Sequence, residues 1–167
     1  MGDPEGFDGF VRAQARDLQR SAWLLASDWS AAEDLVQSCL IEVWTRWDRL
    51  DSPIAYAHRV LVTTFLRSRR RRWNGEVPVS VLPEVIAGDD AVGRADLRHD
   101  LVAALRSLPD RQRSVVVLRY FTGLSEQEIA VALGCSTGAV KTHASRALAR
   151  LRENAGLQQI FAEEVHP

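Results

Sequence analysis

The stretch "SEQEIAVALGCSTGAVKTHASRALARLRE", residues 125–153, carries two short helical patterns on either side of a turn. Ser125 followed three positions later by Glu128 has the spacing of a capping box, which opens a helix. Gly134 is a residue that readily adopts the left-handed conformation found at helix ends. From Val140 onward, apolar side chains recur every three or four residues, as on one face of a helix. The stretch therefore predicts a helix-turn-helix.

The second helix of this motif keeps its basic and hydroxyl side chains on the face opposite the apolar one. A recognition helix sets its N-terminal residues against base edges and its further basic residues against phosphates, and its N-terminus favours a phosphate. The alternative is a solvated cationic face, but the turn chemistry and the clean separation of the two faces favour DNA binding. The candidate DNA-binding residues are Ser136, Thr137, Lys141, Thr142, His143, Ser145, Arg146 and Arg150.

The first half of the chain also follows a helical pattern, with two interruptions. "SDWS" at 27–30 breaks the first helix, and Ser30 with Glu33 has the spacing of another capping box. "DRLDSP" at 48–53 forms the next turn, and Pro53 suits the first turn of the helix that follows. The pattern predicts three helices in this half.

Charge is distributed unevenly along the chain, although the net charge is only −1. Residues 1–66 carry 6 arginines against 10 acids, whereas residues 67–72 contain 5 arginines and no acid. Residues 111–152 hold 7 basic against 2 acidic side chains. The arginine block at 67–72 is either a solvated helix end favoured by the helix dipole or a nucleic-acid patch. We favour the patch, because two separate cationic regions suit a protein that contacts nucleic acid at two places.

Two helical halves are separated by a segment without periodicity at 74–95, which is rich in Gly, Pro and acids. Its apolar part, 77–85, is expected to lie in a groove of a partner. Beyond it, Pro109 ends one helix and Asp110 is predicted to cap the next. The prediction is an all-α fold of two helical domains joined by an irregular linker. The bounds are 1–73 for the first domain, 74–95 for the linker, 96–156 for the second domain and 157–167 for a C-terminal tail.

Several classes of protein are disfavoured by what the sequence lacks. It has no apolar run of membrane-spanning length and no secretory signal, so we expect no membrane insertion. Cys39 and Cys135 lack ligands at metal-binding spacing and are expected to be buried free thiols in the cytoplasm. No nucleophile elbow, phosphate loop or metal-spaced cluster occurs, so we expect no catalytic site, metal or cofactor. A two-component-type regulator would have a similar output domain, but the first half lacks the strands of a receiver.

Three stretches of the chain resemble a known family. "LPDRQRSVVVLRYFTGLSEQEIAVALGCSTGAVKTHASRALARLR" at 108–152 resembles region 4 of bacterial RNA polymerase sigma factors of the extracytoplasmic-function group. "AEDLVQSCLIEVWTRW" at 32–47 is similar to region 2.2, and "YAHRVLVTTFLRSRRRR" at 56–72 to regions 2.3 and 2.4. Within the group, the chain looks most like the SigE-type actinobacterial subfamily. The resemblance implies an alternative sigma factor that directs promoter-specific initiation by recognising −35 and −10 elements.

The resemblance also assigns residues to surfaces. The −35 element would be contacted by Lys141, Thr142, Ser145 and Arg146. The −10 region would be contacted by Asp48, Arg49, Asp51, Ser52, Arg67, Arg69, Arg70, Arg71 and Arg72. The polymerase-binding residues would be Asp34, Gln37, Ser38 and Ile41. The implied partners are promoter DNA and core RNA polymerase, through the clamp helices of its largest subunit and the flap of the second. Control is expected either from an anti-sigma factor or from transcription of the protein's own gene.

Overall fold

The computed structural model describes residues 5–75 and 92–154, with side chains from residue 99 onward in the second range. Its helices are α1 (Phe7–Ala26), α2 (Trp29–Arg46), α3 (Pro53–Trp73), α4 (Val92–Ser107), α5 (Asp110–Val116), α6 (Glu126–Leu133) and α7 (Thr137–Arg152). A 3-10 turn at Trp47–Arg49 follows α2, and a π-helical turn at Val117–Phe121 continues α5. We call α1–α3 the first lobe and α4–α7 the second lobe.

The predicted all-α fold is confirmed, since no residue in the two described ranges forms a strand. None of the helices in these ranges is long and apolar enough to cross a bilayer. Most of the predicted linker, including its apolar part 77–85, lies outside the described residues, as does the tail 157–167. α4 begins at Val92, inside the predicted linker. The sequence pattern favoured a later start because Gly93 lowers helix propensity at that point.

The first lobe is a three-helix unit whose core side chains come from all three helices. Leu18 and Leu25 of α1, Cys39 of α2, and Leu61 and Phe65 of α3 are buried. The Cys39 thiol donates to the carbonyl of Ala57 over 3.2 Å. Burial, with a smaller contribution from Glu42, raises the pKa of Cys39 to about 12. The expected free thiols are confirmed, although Cys135 is only half-buried.

The start of α2 differs from the predicted capping box at Ser30 and Glu33. Asp28 is the N-cap, and its carboxylate accepts hydrogen bonds from the backbone N–H groups of Ser30 and Ala31, each at 3.3 Å. Glu33 instead accepts from the indole N–H of Trp29 over 2.9 Å. Both Asp and Ser are good N-caps, so the spacing to Glu33 favoured the wrong residue by two positions.

The second lobe begins its helix-turn-helix as predicted. Ser125 caps α6, and the reciprocal bond to Glu128 completes the capping box. Glu128 accepts from the backbone N–H of Ser125 over 2.8 Å, and this bond lowers the pKa of Glu128. Gly134 ends α6 in the left-handed conformation with φ 64°. Ser136 then caps α7 by accepting from the N–H of Ala139 over 3.1 Å.

The predicted capping role of Asp110 is wrong. Asp110 is the first residue of α5, Pro109 occupies the N-cap position, and no side-chain bond caps this helix. The Asp110 carboxylate instead points across to the first lobe, where both its oxygens accept from Nε of Arg69, at 3.1 and 3.2 Å. The sequence pattern could not show this, because the competing partner lies 41 residues away.

The two lobes pack directly against each other, with α3 against α5 and α6, and α1 against α4 and the π-helical turn. Arg113 crosses this junction by donating from Nη1 to the carbonyl of Leu25 over 2.7 Å. Its Nη2 donates within the second lobe to the carbonyls of Arg106 at 2.9 Å and Leu108 at 3.2 Å. The guanidinium also lies 5.8 Å from the ring centroid of Phe65.

Arg113 is a buried charge, since only 3% of the residue is exposed. Burial lowers its pKa to about 10, an effect that the nearby Asp110 carboxylate opposes. This pKa remains well above neutrality, so the guanidinium stays charged inside the molecule. A buried charge is tolerated when it is paired and hydrogen-bonded, and the three carbonyls and Asp110 meet that requirement.

Candidate nucleic-acid interface

The helix α7 has one buried face and one exposed face. Val140, Ala144, Ala147 and Leu151 are buried and hold the helix against α5 and α6. A capped helix start, such as the one at Ser136, leaves further backbone N–H groups that favour an anion. Among the predicted DNA-binding residues, the exposed ones are Ser136, Thr137, Lys141, Thr142, Ser145, Arg146 and Arg150.

The predicted residues of α7 do not all lie on one strip. At about 100° per residue, Thr142 and Arg146 lie near the centre of the exposed face, and Lys141 and Ser145 lie beside them. His143 falls on the other flank, where it is half-buried, and its Nδ1 is buried without a hydrogen-bond partner in the described part of the chain. The helix therefore brings four predicted side chains onto one continuous surface and turns His143 aside.

An acidic residue lies at the edge of this surface. The Glu126 carboxylate at the start of α6 is 3.1 Å from Nη1 of Arg119 and 3.7 Å from Nζ of Lys141. These residues line an open cleft of about 330 Å³, together with Ser145, where the π-helical turn and the start of α6 face α7. Sequence reasoning missed Glu126, because an acid in the first turn of a helix is ordinary and nothing links it to Lys141 by spacing.

The loop between α2 and α3 is held in place by an aromatic contact. Trp47 packs edge-on against Phe7, with ring centroids 5.3 Å apart. Its indole N–H donates to the carbonyl of Glu5 over 3.0 Å. Ser52 caps α3 by accepting from the N–H of Ala55 over 3.4 Å. The four predicted −10 residues of this loop are exposed, namely Asp48, Arg49, Asp51 and Ser52.

The arginine block forms the last turns of α3, and its five arginines are exposed. Within the described residues, Arg69 is the one member of the block that forms an ion pair, with Asp110. Trp73, which follows the block and is not among the predicted site residues, is 91% exposed. The remaining members of the block are Arg67, Arg70, Arg71 and Arg72.

The predicted polymerase-binding residues form a single stripe on α2. Gln37 and Ser38 follow Asp34 by three and four positions and precede Ile41 by four and three, so the four residues share one helix face, and all are exposed. Ile41, the apolar member of the stripe, is 64% exposed. The stripe faces away from the core of the first lobe, so it is open to a partner.

Comparison with known proteins gives matches in both lobes. The family model for Sigma-70 region 2 matches residues 10–75, and that for Sigma-70, region 4 matches residues 98–151. The RNA polymerase sigma-E factor of Streptomyces coelicolor is 41% identical over 156 residues, which cover 92% of this chain and 88% of that protein. Its counterpart in Streptomyces avermitilis is 42% identical over 150 residues, covering 88% and 83%.

A solved structure resembles both lobes together. It is the sigma factor RpoE of Bartonella quintana in complex with the anti-sigma factor NepR. The TM-score is 0.73 at 26% sequence identity, and the match covers 90% of this chain and 96% of that one.

Proposed function

Because the chain belongs to the extracytoplasmic-function group of the sigma-70 family and directs promoter-specific initiation by core RNA polymerase, we propose that its lobes divide the promoter between them. In this proposal α7 reads the −35 element, and the loop before α3 reads the −10 region together with the arginine block. The protein catalyses no reaction of its own and acts by positioning the polymerase at the promoter. It works in the cytoplasm, where the polymerase is found.

The observation that carries the −35 assignment is the division of α7 into a buried apolar face and an exposed polar one. Arg146 and Lys141 offer donors for guanine acceptors or phosphates, and Thr142 and Ser145 can reach base or backbone oxygens. The capped N-terminus of the helix adds a position for a phosphate. A helix of this kind fits the major groove end-first.

The −10 assignment is supported by exposure and charge in the first lobe. The loop residues Asp48, Arg49, Asp51 and Ser52 offer both donors and acceptors to an unpaired base. The arginine block lies at the far end of α3, about 20–30 Å along the helix axis from the loop, and supplies phosphate contacts. Extruding a base costs unstacking energy, so we expect strand opening to require the polymerase as well.

We assign polymerase docking to the α2 stripe of Asp34, Gln37, Ser38 and Ile41. A mixture of one exposed apolar side chain and polar neighbours is typical of a protein–protein contact. The partner surface would be the clamp helices of the largest polymerase subunit, and the second lobe would meet the flap of the second subunit. Ile41→Asp should weaken binding to core polymerase while leaving binding to isolated promoter DNA unchanged.

We further propose that an anti-sigma factor binds the closed arrangement of the lobes. The likeness to a sigma factor solved with NepR supports this, because it extends over both lobes. An open groove of about 320 Å³ at the junction of α3 and α6 offers a contact surface, lined by Tyr56, Arg59, Leu124 and Val131 among others. Val131→Asp should abolish capture of such a partner from the native host and spare capture of polymerase. Recovery of polymerase alone by the unmodified chain would contradict the proposal.

The −35 assignment is tested by run-off transcription with core polymerase. Arg146→Glu should abolish initiation at a −35-dependent promoter, because charge reversal repels the DNA, and should leave association with core intact. Arg106→Glu is the matched control, since Arg106 is also exposed in the second lobe but lies on α4. Equal loss of initiation and core association in the Arg146 variant would mean that the residue is structural.

A further inference from the structure

We propose that the Asp110 carboxylate takes the position of a DNA phosphate. In the free protein it forms an ion pair with Arg69 of the arginine block, so closure of the lobes and binding of DNA compete for the guanidinium of Arg69. This inference rests on the proposed role of the arginine block in the −10 region. It concerns how that surface is regulated.

The contact between Asp110 and Arg69 joins the two lobes. Arg69 lies near the end of α3, and Asp110 opens α5 in the other lobe. Both carboxylate oxygens accept from Nε of Arg69, at 3.1 and 3.2 Å, and one of them lies 3.7 Å from Nη2 of Arg113. Two guanidinium groups around one small anion is the arrangement that also suits a phosphate.

The pair is placed so that DNA can displace it. The side chains of Arg69 and Asp110 are 42% and 31% exposed, so solvent and ions reach both. Exposed ion pairs contribute little and weaken with salt. A run of DNA phosphates presents many charges to the whole arginine block at once, whereas Asp110 presents one.

Closure of the lobes is incompatible with occupying both promoter elements. Their positions are about 25 base pairs apart, which at about 3.4 Å per base pair is roughly 80 Å. A compact chain of this length has a radius of gyration of about 15 Å, hence a diameter of roughly 40 Å. The lobes must therefore separate at a promoter, and separation breaks the contacts of Asp110 with Arg69 and of Arg113 with Leu25.

Arg113 forms one hydrogen bond between the lobes, and this bond is present only when the lobes are closed. Its bond to the Leu25 carbonyl at 2.7 Å crosses the junction, whereas its bonds to Arg106 and Leu108 remain within the second lobe. When the lobes separate, Arg113 therefore loses the hydrogen bond to Leu25 and keeps those to Arg106 and Leu108. Asp110 also stays beside it, so the first lobe leaves with Arg69 free for DNA.

The test uses the full chain and replaces Asp110 by Asn, which keeps the shape and removes the charge. Small-angle X-ray scattering should show a larger radius of gyration for Asp110→Asn than for the wild type. Its affinity for a −10 duplex should rise by about two- to fivefold, the strength of one exposed ion pair. The slope of log affinity against log salt should change little, because DNA displaces Asp110 in the wild type and both proteins engage the same phosphates in the complex.

Two further variants provide the controls. Asp100→Asn makes the same chemical change at an exposed position of the second lobe, and it should change neither compactness nor affinity. Arg69→Ala breaks the same pair but leaves Asp110 beside Arg113, so it should open the chain as Asp110→Asn does while weakening DNA binding.

The outcomes separate the two levels of the proposal. If Arg69→Ala and Arg71→Ala weaken DNA binding but Asp110→Asn leaves affinity and compactness unchanged, the competition is refuted and the −10 role stands. If neither arginine variant affects DNA binding, the −10 role of the block fails, and the competition fails with it. An opened Asp110→Asn chain with unchanged DNA affinity would also refute the competition.

Discussion

Glu126 is an acidic residue at the edge of the surface that we propose for the −35 element. Its carboxylate holds Arg119 at 3.1 Å and Lys141 at 3.7 Å, so both cations are directed towards the cleft between α6 and α7. A carboxylate at a DNA surface repels phosphates, but it can also accept from the amino group of cytosine. We therefore expect Glu126 to lower the affinity for DNA and to raise the discrimination between sequences, since it competes with phosphates for Lys141.

Glu126→Gln should raise the affinity of the free chain for duplex DNA of any sequence and reduce its preference for a −35 duplex. The substitution removes a negative charge that repels the phosphates, and Lys141 loses its ion-pair partner and can pair with a phosphate instead. Fluorescence anisotropy with matched and scrambled duplexes, over a salt series, measures both effects. Glu153→Gln removes an exposed charge just beyond α7 and should leave the ratio of the two affinities unchanged. An unaltered ratio in the Glu126 variant as well would show that the carboxylate plays no part in discrimination.

At the scale of the element, the capping box fixes where α6 begins and therefore how α7 is presented. Ser125 and Glu128 each satisfy a backbone N–H of the other residue. Ser125→Ala should lower the free energy of unfolding by about 1 kcal/mol, because an N-cap is lost. Urea unfolding followed by circular dichroism measures this, with Ser145→Ala on the exposed face of α7 as the control. A loss no larger than that of the control would mean that the box contributes nothing to stability.

Elements with strong local signals could be predicted from the sequence, and those set by distant contacts could not. Ser125, Gly134 and Pro53 determine helix ends through their own backbone and side-chain chemistry, so their predicted roles are confirmed. Asp28 outcompetes Ser30 for the start of α2 although both are suitable residues, and only the packed chain decides between them. Asp110 has the chemistry of a cap but is held by Arg69 of the other lobe.

The same distinction applies to the candidate site. The exposed face of α7 could be predicted, because it is the complement of the apolar periodicity that buries Val140 and Ala144. The partners of Lys141 and Arg69 could not, because Glu126 and Asp110 lie on other elements with no fixed spacing to them. The placement of the site residues on promoter and polymerase stays a prediction.

At the scale of the whole molecule, His58 lies where the two lobes meet, and its pKa depends on charges from both lobes. It is buried on α3, and the charges that act on it are Asp17 of α1 and Glu128 of α6. Burial lowers the pKa of His58 below its ordinary value, although the two carboxylates oppose this. Below the ordinary pKa, the unfolded chain gains a proton that the folded chain resists. The stability associated with a neutral His58 is therefore present above that pKa and is lost as the pH falls.

His58→Phe should reduce the difference in urea midpoint between about pH 7.5 and about pH 5.5, the range in which an unperturbed histidine changes charge. His99→Phe serves as the control, because His99 is exposed, and it should show the same difference as the wild type. A wild-type difference that persists in full in the His58 variant would assign the pH dependence to other groups.

The reach of the chain decides whether both lobes can act on one promoter. Subtracting two lobe radii of about 14 Å from a separation of roughly 80 Å leaves a gap of roughly 50 Å for the linker to span. The connection between the described residues 75 and 92 spans at most about 55–60 Å when extended, at about 3.3–3.6 Å per residue. The linker therefore has little length to spare.

Deleting residues 80–87 reduces this maximum to roughly 30 Å, so the lobes can no longer reach both elements. Run-off transcription from a promoter with both elements should be lost, while binding to separate −35 and −10 duplexes is retained. Replacing the same residues by a Gly/Ser sequence of equal length keeps the length of the linker and removes its apolar side chains, so it tests the two properties separately. If that replacement initiates normally, length is the property that matters; if it fails as the deletion does, the apolar segment 77–85 itself contacts the polymerase. Full activity of the deletion would mean that the two lobes never occupy both elements at once.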